Sequence, residues 1–103
     1  MNFISKSSLI QTDGSTTAIT IEAPGQGKYN MLTSVTVESD EHANVTITGL
    51  YGGGTYTATA PAGDTLVKEW SENGALRGAE NTAVVISVSD GNYTISVRGY
   101  VTP

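Results

Sequence analysis

The chain contains no cysteine, which excludes disulfides, thiolate chemistry and thiolate metal sites. That absence leaves the compartment open, since many secreted proteins also lack cysteine. Histidine is nearly as scarce, with His42 the single imidazole. Basic residues number five against ten acidic ones, for a formal net charge of −5. Lys6, Lys28, Lys68, Arg77 and Arg98 are scattered singly, whereas a nucleic-acid binder clusters its cations to displace condensed counterions. No nucleic-acid partner is expected, and the same charge argument disfavours an anionic membrane. No apolar run reaches the roughly 18 residues of a membrane helix. The stretch from Met1 to Gln11 lacks a basic n-region and a continuous apolar h-region, so it is not expected to act as a signal peptide, and any exit from a cell is expected by another route such as lysis. Long charged helix formers are also sparse.

What remains is a chain of Thr, Ser, Gly, Val and Ala, which is the composition of strands and turns. Its 103 residues suffice for one domain with one core and are too few for two. Period-2 patterning dominates. Ile19 and Ile21 share a face, and Pro24-Gly25-Gln26-Gly27 ends that strand. The longest strand is expected over 28–39, with Tyr29, Met31, Thr33, Val35 and Val37 on one face. The acidic group Asp40-Glu41-His42 turns the chain, Val45 and Ile47 point inward on the next strand, and Gly52-Gly53-Gly54 forms a hairpin turn. Thr55 to Ala60 alternates again, Thr65 to Ser71 carries Leu66, Val67 and Trp70, and 72–81 reads as an ordered loop. Val84, Ile86 and Val88 face inward on a further strand. Ser89-Asp90-Gly91-Asn92 suits a two-residue hairpin turn before a last strand that places Tyr93, Ile95, Val97 and Val101 on one face. The fold class is therefore all-β: a single antiparallel β-sandwich of about seven to eight strands. Val35, Val37, Val45, Ile47, Val84, Ile86, Ile95 and Val97 are the expected core. Residues 1–12 form an N-terminal arm or edge strand and 13–103 the sandwich.

No motif carries chemistry. A nucleophile needs a base beside it, and His42 sits in an acidic turn with no Ser in a G-x-S-x-G context. Paired-carboxylate chemistry needs an acid held in a cleft, whereas most acids here fall on turns and solvent-facing positions. Glu38, Asp40, Glu41 and His42 cluster oxygen ligands but lack EF-hand spacing, and a solvated acidic turn is the expected reading. The glycine triplet lies between strands and so lacks the helix N-terminus of a phosphate cradle. No enzyme activity, cofactor or metal is expected. Tyr51, Tyr56, Trp70, Tyr93 and Tyr100 could stack on a sugar, although such residues in a sandwich more often belong to the core or to an interface. Asn44-Val45-Thr46 and Asn92-Tyr93-Thr94 match the short glycosylation pattern, without a secretory signal to support it.

The order of Thr16-Thr17-Ala18-Ile19-Thr20-Ile21, the long strand from Gly27-Lys28 to Ser34-Val35-Thr36-Val37, the Gly53-Gly54-Thr55 hairpin and Gly91-Asn92-Tyr93-Thr94-Ile95 resembles small β-sandwich structural proteins of tailed bacteriophages. The group it resembles most is the capsid decoration, or cement, proteins and related virion accessory proteins. The likeness is one of layout and composition over residues 16–101. It implies a jelly-roll-like sandwich, assembly in the bacterial host cytoplasm, and a place in the virion on the outer capsid surface. The implied partners are the major capsid protein and copies of the chain itself as a homotrimer, with no catalytic residues. The alternative class is a receptor- or glycan-binding module of a phage tail or fibre. The candidate interface residues are Phe3, Ile4, Leu9 and Ile10 in the arm, with Tyr51 and Trp70. A decoration protein predicts an apolar or Thr-rich contact face, and a glycan binder predicts an exposed aromatic pocket.

Overall fold

The computed structural model describes residues 8–15 (backbone), 18–71 and 74–102. Nine strands follow one another: β1 (Ser8–Ser15), β2 (Ile19–Ile21), β3 (Asn30–Ser39), β4 (Ala43–Thr48), β5 (Tyr56–Ala60), β6 (Asp64–Glu69), the two-residue β7 (Leu76–Arg77), β8 (Val84–Val88) and β9 (Tyr93–Val101). A 3₁₀ turn, Tyr51–Gly53, joins β4 to β5. Every strand pair is antiparallel. Sheet A has the order β1-β9-β3-β6, with β7 also on β3, and sheet B has the order β2-β8-β4-β5.

This order has a simple origin. With β7 set aside, the pairs β1:β9, β2:β8, β3:β6 and β4:β5 are the rungs of one long antiparallel ribbon folded back at the β4–β5 turn. Winding that ribbon so that β9 meets β3 and β8 meets β4 yields two packed four-stranded layers and two Greek keys, which is the jelly roll. The alternation of each strand supplies the apolar layer between the sheets. All eight residues expected in the core are buried, and Ile19, Ile21, Leu32, Leu50 and Ala60 join them.

The structure corrects the expected face of β3. Tyr29, Met31 and Thr33 do not share a face with Val35 and Val37. A β-bulge between Leu32 and Ser34 reverses the phase, so Asn30 and Leu32 are buried before it and Val35 and Val37 after it. Thr33 is the extra residue, and its carbonyl accepts the Trp70 N–H at 2.8 Å while its hydroxyl donates to the Arg98 carbonyl at 3.2 Å. Gly99 makes the bulge possible, because a Cβ there would lie 2.1 Å from the Met31 carbonyl oxygen. Asn30 is 1% exposed, and its amide donates to the carbonyls of Glu22 at 3.1 Å and Thr82 at 3.4 Å. It thereby ties two loops to the start of β3, which is how a buried amide is tolerated.

The Asp90-Gly91 hairpin is a second correction. Strands β8 and β9 lie in different sheets, so the loop between them crosses the sandwich. The turn chemistry itself is right: Gly91 takes φ 79°, the left-handed region that suits glycine. Asp40 holds the crossing loop in place. Its carboxylate accepts the Asn92 N–H at 2.8 Å and the Asn92 Nδ2 at 3.1 Å, and its own N–H donates to the Asn92 carbonyl at 3.1 Å. The 72–81 stretch is also more than a loop, since Leu76 and Arg77 pair with Leu32 and Met31 and Gly78 bridges to Leu50. The expected boundary after residue 12 falls inside β1, an edge strand paired with β9 from Ser8↔Val101 to Ser15↔Thr94.

Candidate interaction surfaces

The two outer faces of the sandwich differ in charge. On sheet B, the inward set is Ile19 and Ile21, Val84, Ile86 and Val88, Val45 and Ile47, and Ala60 with Tyr56. Alternation then turns the intervening residues outward: Thr20 from β2, Val85 and Ser87 from β8, Asn44, Thr46 and Thr48 from β4, and Thr57 and Thr59 from β5. The register sets Thr46 beside both Thr57 and Ser87, and Val85 beside both Thr20 and Thr48. This surface holds five threonines and no charged residue. The outer face of sheet A carries Glu38, Glu69 and Arg98 among its described side chains.

The two ends of the sandwich differ as well. Loops 40–42, 61–63 and 89–92 gather at one end, with Ser39 and Asp64 opposite each other on the neighbouring strands. Glu38, Asp40, Glu41, Asp64 and Asp90 lie there, and that end holds no Lys or Arg among the described residues. Asp40 is committed to the Asn92 clasp, Glu38 accepts the Thr65 hydroxyl at 3.3 Å, and Asp90 accepts the Ser89 hydroxyl at 3.1 Å. Among the described residues no three His, Asp or Glu side chains gather as metal ligands.

At the opposite end Tyr29 precedes β3, Tyr51 sits in the β4–β5 turn and Arg77 ends β7. The Arg77 guanidinium carbon lies 4.0 Å from the Tyr29 ring centroid and 4.4 Å from that of Tyr51. The two rings are 6.3 Å apart and inclined by 58°. Tyr51 is 60% exposed, and Arg77 is exposed too. The cluster spans both sheets, because Tyr51 hangs from sheet B and Arg77 from sheet A.

The aromatic residues do not form one platform. Trp70 packs on the core and meets Tyr56 edge-on at 5.7 Å, Tyr93 packs on the core, and Tyr100 is 2% exposed. Of the candidate interface residues, Tyr51 is on the surface and Trp70 is half-buried. Leu9 and Ile10 lie in β1, and Phe3 and Ile4 lie outside the described residues. Asn44 is exposed on sheet B, and Asn92 is held by Asp40. Sequence reasoning missed Arg77, because a lone Arg between Gly74 and Gly78 shows no periodicity. It also placed Tyr29 on a strand face. Val67 points outward from β6 and is 51% exposed.

The strand order and closed apolar interior define a jelly-roll sandwich domain. No protein-family model matches the chain, and no curated protein matches it. Among solved structures it is similar to a chain in the cryo-EM structure of the virus-like particle of the giant freshwater prawn Macrobrachium rosenbergii extra small virus. The identity is 9%, 100% of this chain and 87% of that chain are covered, and the TM-score is 0.39.

Proposed function

We propose that this chain is a non-catalytic structural protein of a tailed-bacteriophage virion, a decoration or cement protein. It sits on the outer capsid surface against the major capsid protein, as a homotrimer assembled in the bacterial host cytoplasm. The observation that carries this reading is the charge-free outer face of sheet B. Interface centres are depleted of charge because burying an unpaired ion costs several kcal/mol. A threonine-rich sheet can be covered by another protein without stranding one. In a chain of net charge −5 the acids lie at the two ends and on sheet A and leave the outer face of sheet B free of charge, which suits an outward surface and not a DNA-facing lining.

The size of this face bears on the stoichiometry. Four strands about 4.8 Å apart and roughly 20 Å long present about 300–400 Å² in projection, below the roughly 800 Å² per partner of a standard interface. One copy therefore binds weakly, and several linked copies gain from avidity. β1 is the outermost strand of sheet A, and its open edge adds a second attachment where a neighbour's extended segment pairs along it.

The test uses capsids of the parent phage assembled without the chain. Added protein should co-sediment with them and raise their resistance to heat. A variant carrying Thr46→Glu and Thr57→Glu should keep its fold by circular dichroism and lose at least about tenfold in capsid affinity, a change of about 1.4 kcal/mol. Absence of the chain from purified virions, or equal binding by the variant, would refute the reading.

The exposed Tyr51 favours a second reading, a glycan-binding module of a tail or fibre, in which a sugar stacks on that ring. The burial of Trp70 against Tyr56 counts against it, since the rings are not gathered into a groove. Binding of the isolated chain on a glycan array, lost in Tyr51→Ala, would establish it.

A further inference from the structure

We infer that the Tyr29–Arg77–Tyr51 cluster is a docking site for the acidic end of a second copy of this chain, so that copies associate head to tail. The inference builds on the proposal that copies of the chain bind each other and names the surfaces through which they do so.

The first part of the argument is the state of Arg77. A planar guanidinium stacked on aromatic rings uses its faces for the rings and keeps its in-plane N–H donors for an acceptor. Here the rings of Tyr29 and Tyr51 hold the group at 4.0 and 4.4 Å on an exposed end of the sandwich. Little side-chain entropy is left to lose when a carboxylate arrives, which is the advantage of a pre-organised contact. Tyr and Arg are also the residue types that dominate interface energetics.

The second part concerns the occupant. An in-plane fork of N–H groups matches a carboxylate, and the chain presents carboxylates at its own opposite end. Glu41 and Asp90 sit in exposed loops there, with no Lys or Arg among the described residues of that end to neutralise them. At the Arg77 end, Lys28 and Arg77 offset Glu22 and Glu80, and the Glu80 carboxylate accepts the Gly27 N–H at 2.6 Å. The molecule is thus polarised along its strands, and end-to-end contact pairs unlike charge, whereas contact between like acidic ends is repulsive. Joining dissimilar surfaces is heterologous, and such contacts close into rings when the rotation permits. This is compatible with a homotrimer. The contact also lies at right angles to the sheet B face, so both surfaces can be engaged together.

Sedimentation of the full chain, with residues 1–103 intact, tests this. The wild type should associate in a concentration-dependent way at about 0.1 M salt, and less so at about 1 M, where the Debye length falls from about 10 Å to about 3 Å. Arg77→Glu should raise the dissociation constant by about tenfold or more. So should the double variant Glu41→Lys, Asp90→Lys, which leaves the aromatic cluster untouched and keeps the test intact if Arg77→Glu fails to fold. Mixing the two variants should restore association, because each supplies the surface the other has lost. A wild type that stays monomeric up to roughly 1 mM, the limit of a very weak contact, would overturn the inference, as would association unaffected by the double variant. Capsid binding by a monomeric chain would leave the decoration role standing while removing this contact.

Discussion

Replacing Ile86 with alanine probes the centre of the jelly roll. Ile86 is 0% exposed and lies on β8 between Ile19 of β2 and Ile47 of β4, so the three isoleucines form one row of sheet B against sheet A. The substitution removes three carbons, worth about 0.8 kcal/mol each in transfer, or about 2.4 kcal/mol. If about 40 Å³ of the void survives relaxation, the cavity adds about 1 kcal/mol. The expected loss of about 3.4 kcal/mol is a large share of the roughly 5–15 kcal/mol available to a domain of this size. Urea unfolding followed by Trp70 fluorescence is a suitable assay. With a slope of about 1.5 kcal/mol/M, the midpoint should fall by about 2 M at unchanged slope. Val67→Ala is the control. Val67 lies on an edge strand with its side chain outward and 51% exposed, and its loss should cost less than about 0.5 kcal/mol. An Ile86→Ala cost below about 0.5 kcal/mol, or a Val67 cost equal to it, would show that the inward and outward faces are misassigned.

Gly99→Ala should be strongly destabilising, because its Cβ would meet the Met31 carbonyl oxygen at 2.1 Å and the Leu32 Cα at 3.0 Å. The backbone of the β3 bulge must then move, at about 2–3 kcal/mol, and calorimetry should show a melting temperature lower by roughly 8 °C or more; an unchanged value would refute the close approach. Asn30→Ala leaves the Glu22 and Thr82 carbonyls without their donor and should cost about 1–3 kcal/mol in urea. Asn30→Asp keeps the shape without the amide donor and should cost at least as much, whereas a neutral effect would show that the two hydrogen bonds are not needed.

Much of the fold is legible in the sequence because the apolar layer of a sandwich is written as period-2 alternation. Val45-Thr46-Ile47, Val84-Val85-Ile86 and Ile95-Ser96-Val97 each declare which side faces inward, and their burial follows. The scattered cations and missing cysteines likewise restrict the chemistry at the level of composition. Phase holds only while pairing is uninterrupted, however. The bulge at Thr33 reverses β3, and what permits it is Gly99, 66 positions away in the numbering and adjacent only once β9 pairs with β3. Asp90-Gly91 announces a reversal of the chain but not whether it returns to the same sheet. That choice belongs to the pairing of β9 with β1 and β3 and of β8 with β2 and β4, after which the Asp40 carboxylate holds Asn92 from another loop. The charge-free face of sheet B was hidden for the same reason: Thr20, Thr46, Thr57 and Val85 belong to four separate strands, and only the winding of the ribbon sets them side by side. Arg77 meets Tyr29 and Tyr51 because the ends of two sheets converge. Local alternation thus determines which way each side chain points, and long-range strand pairing decides which side chains become neighbours.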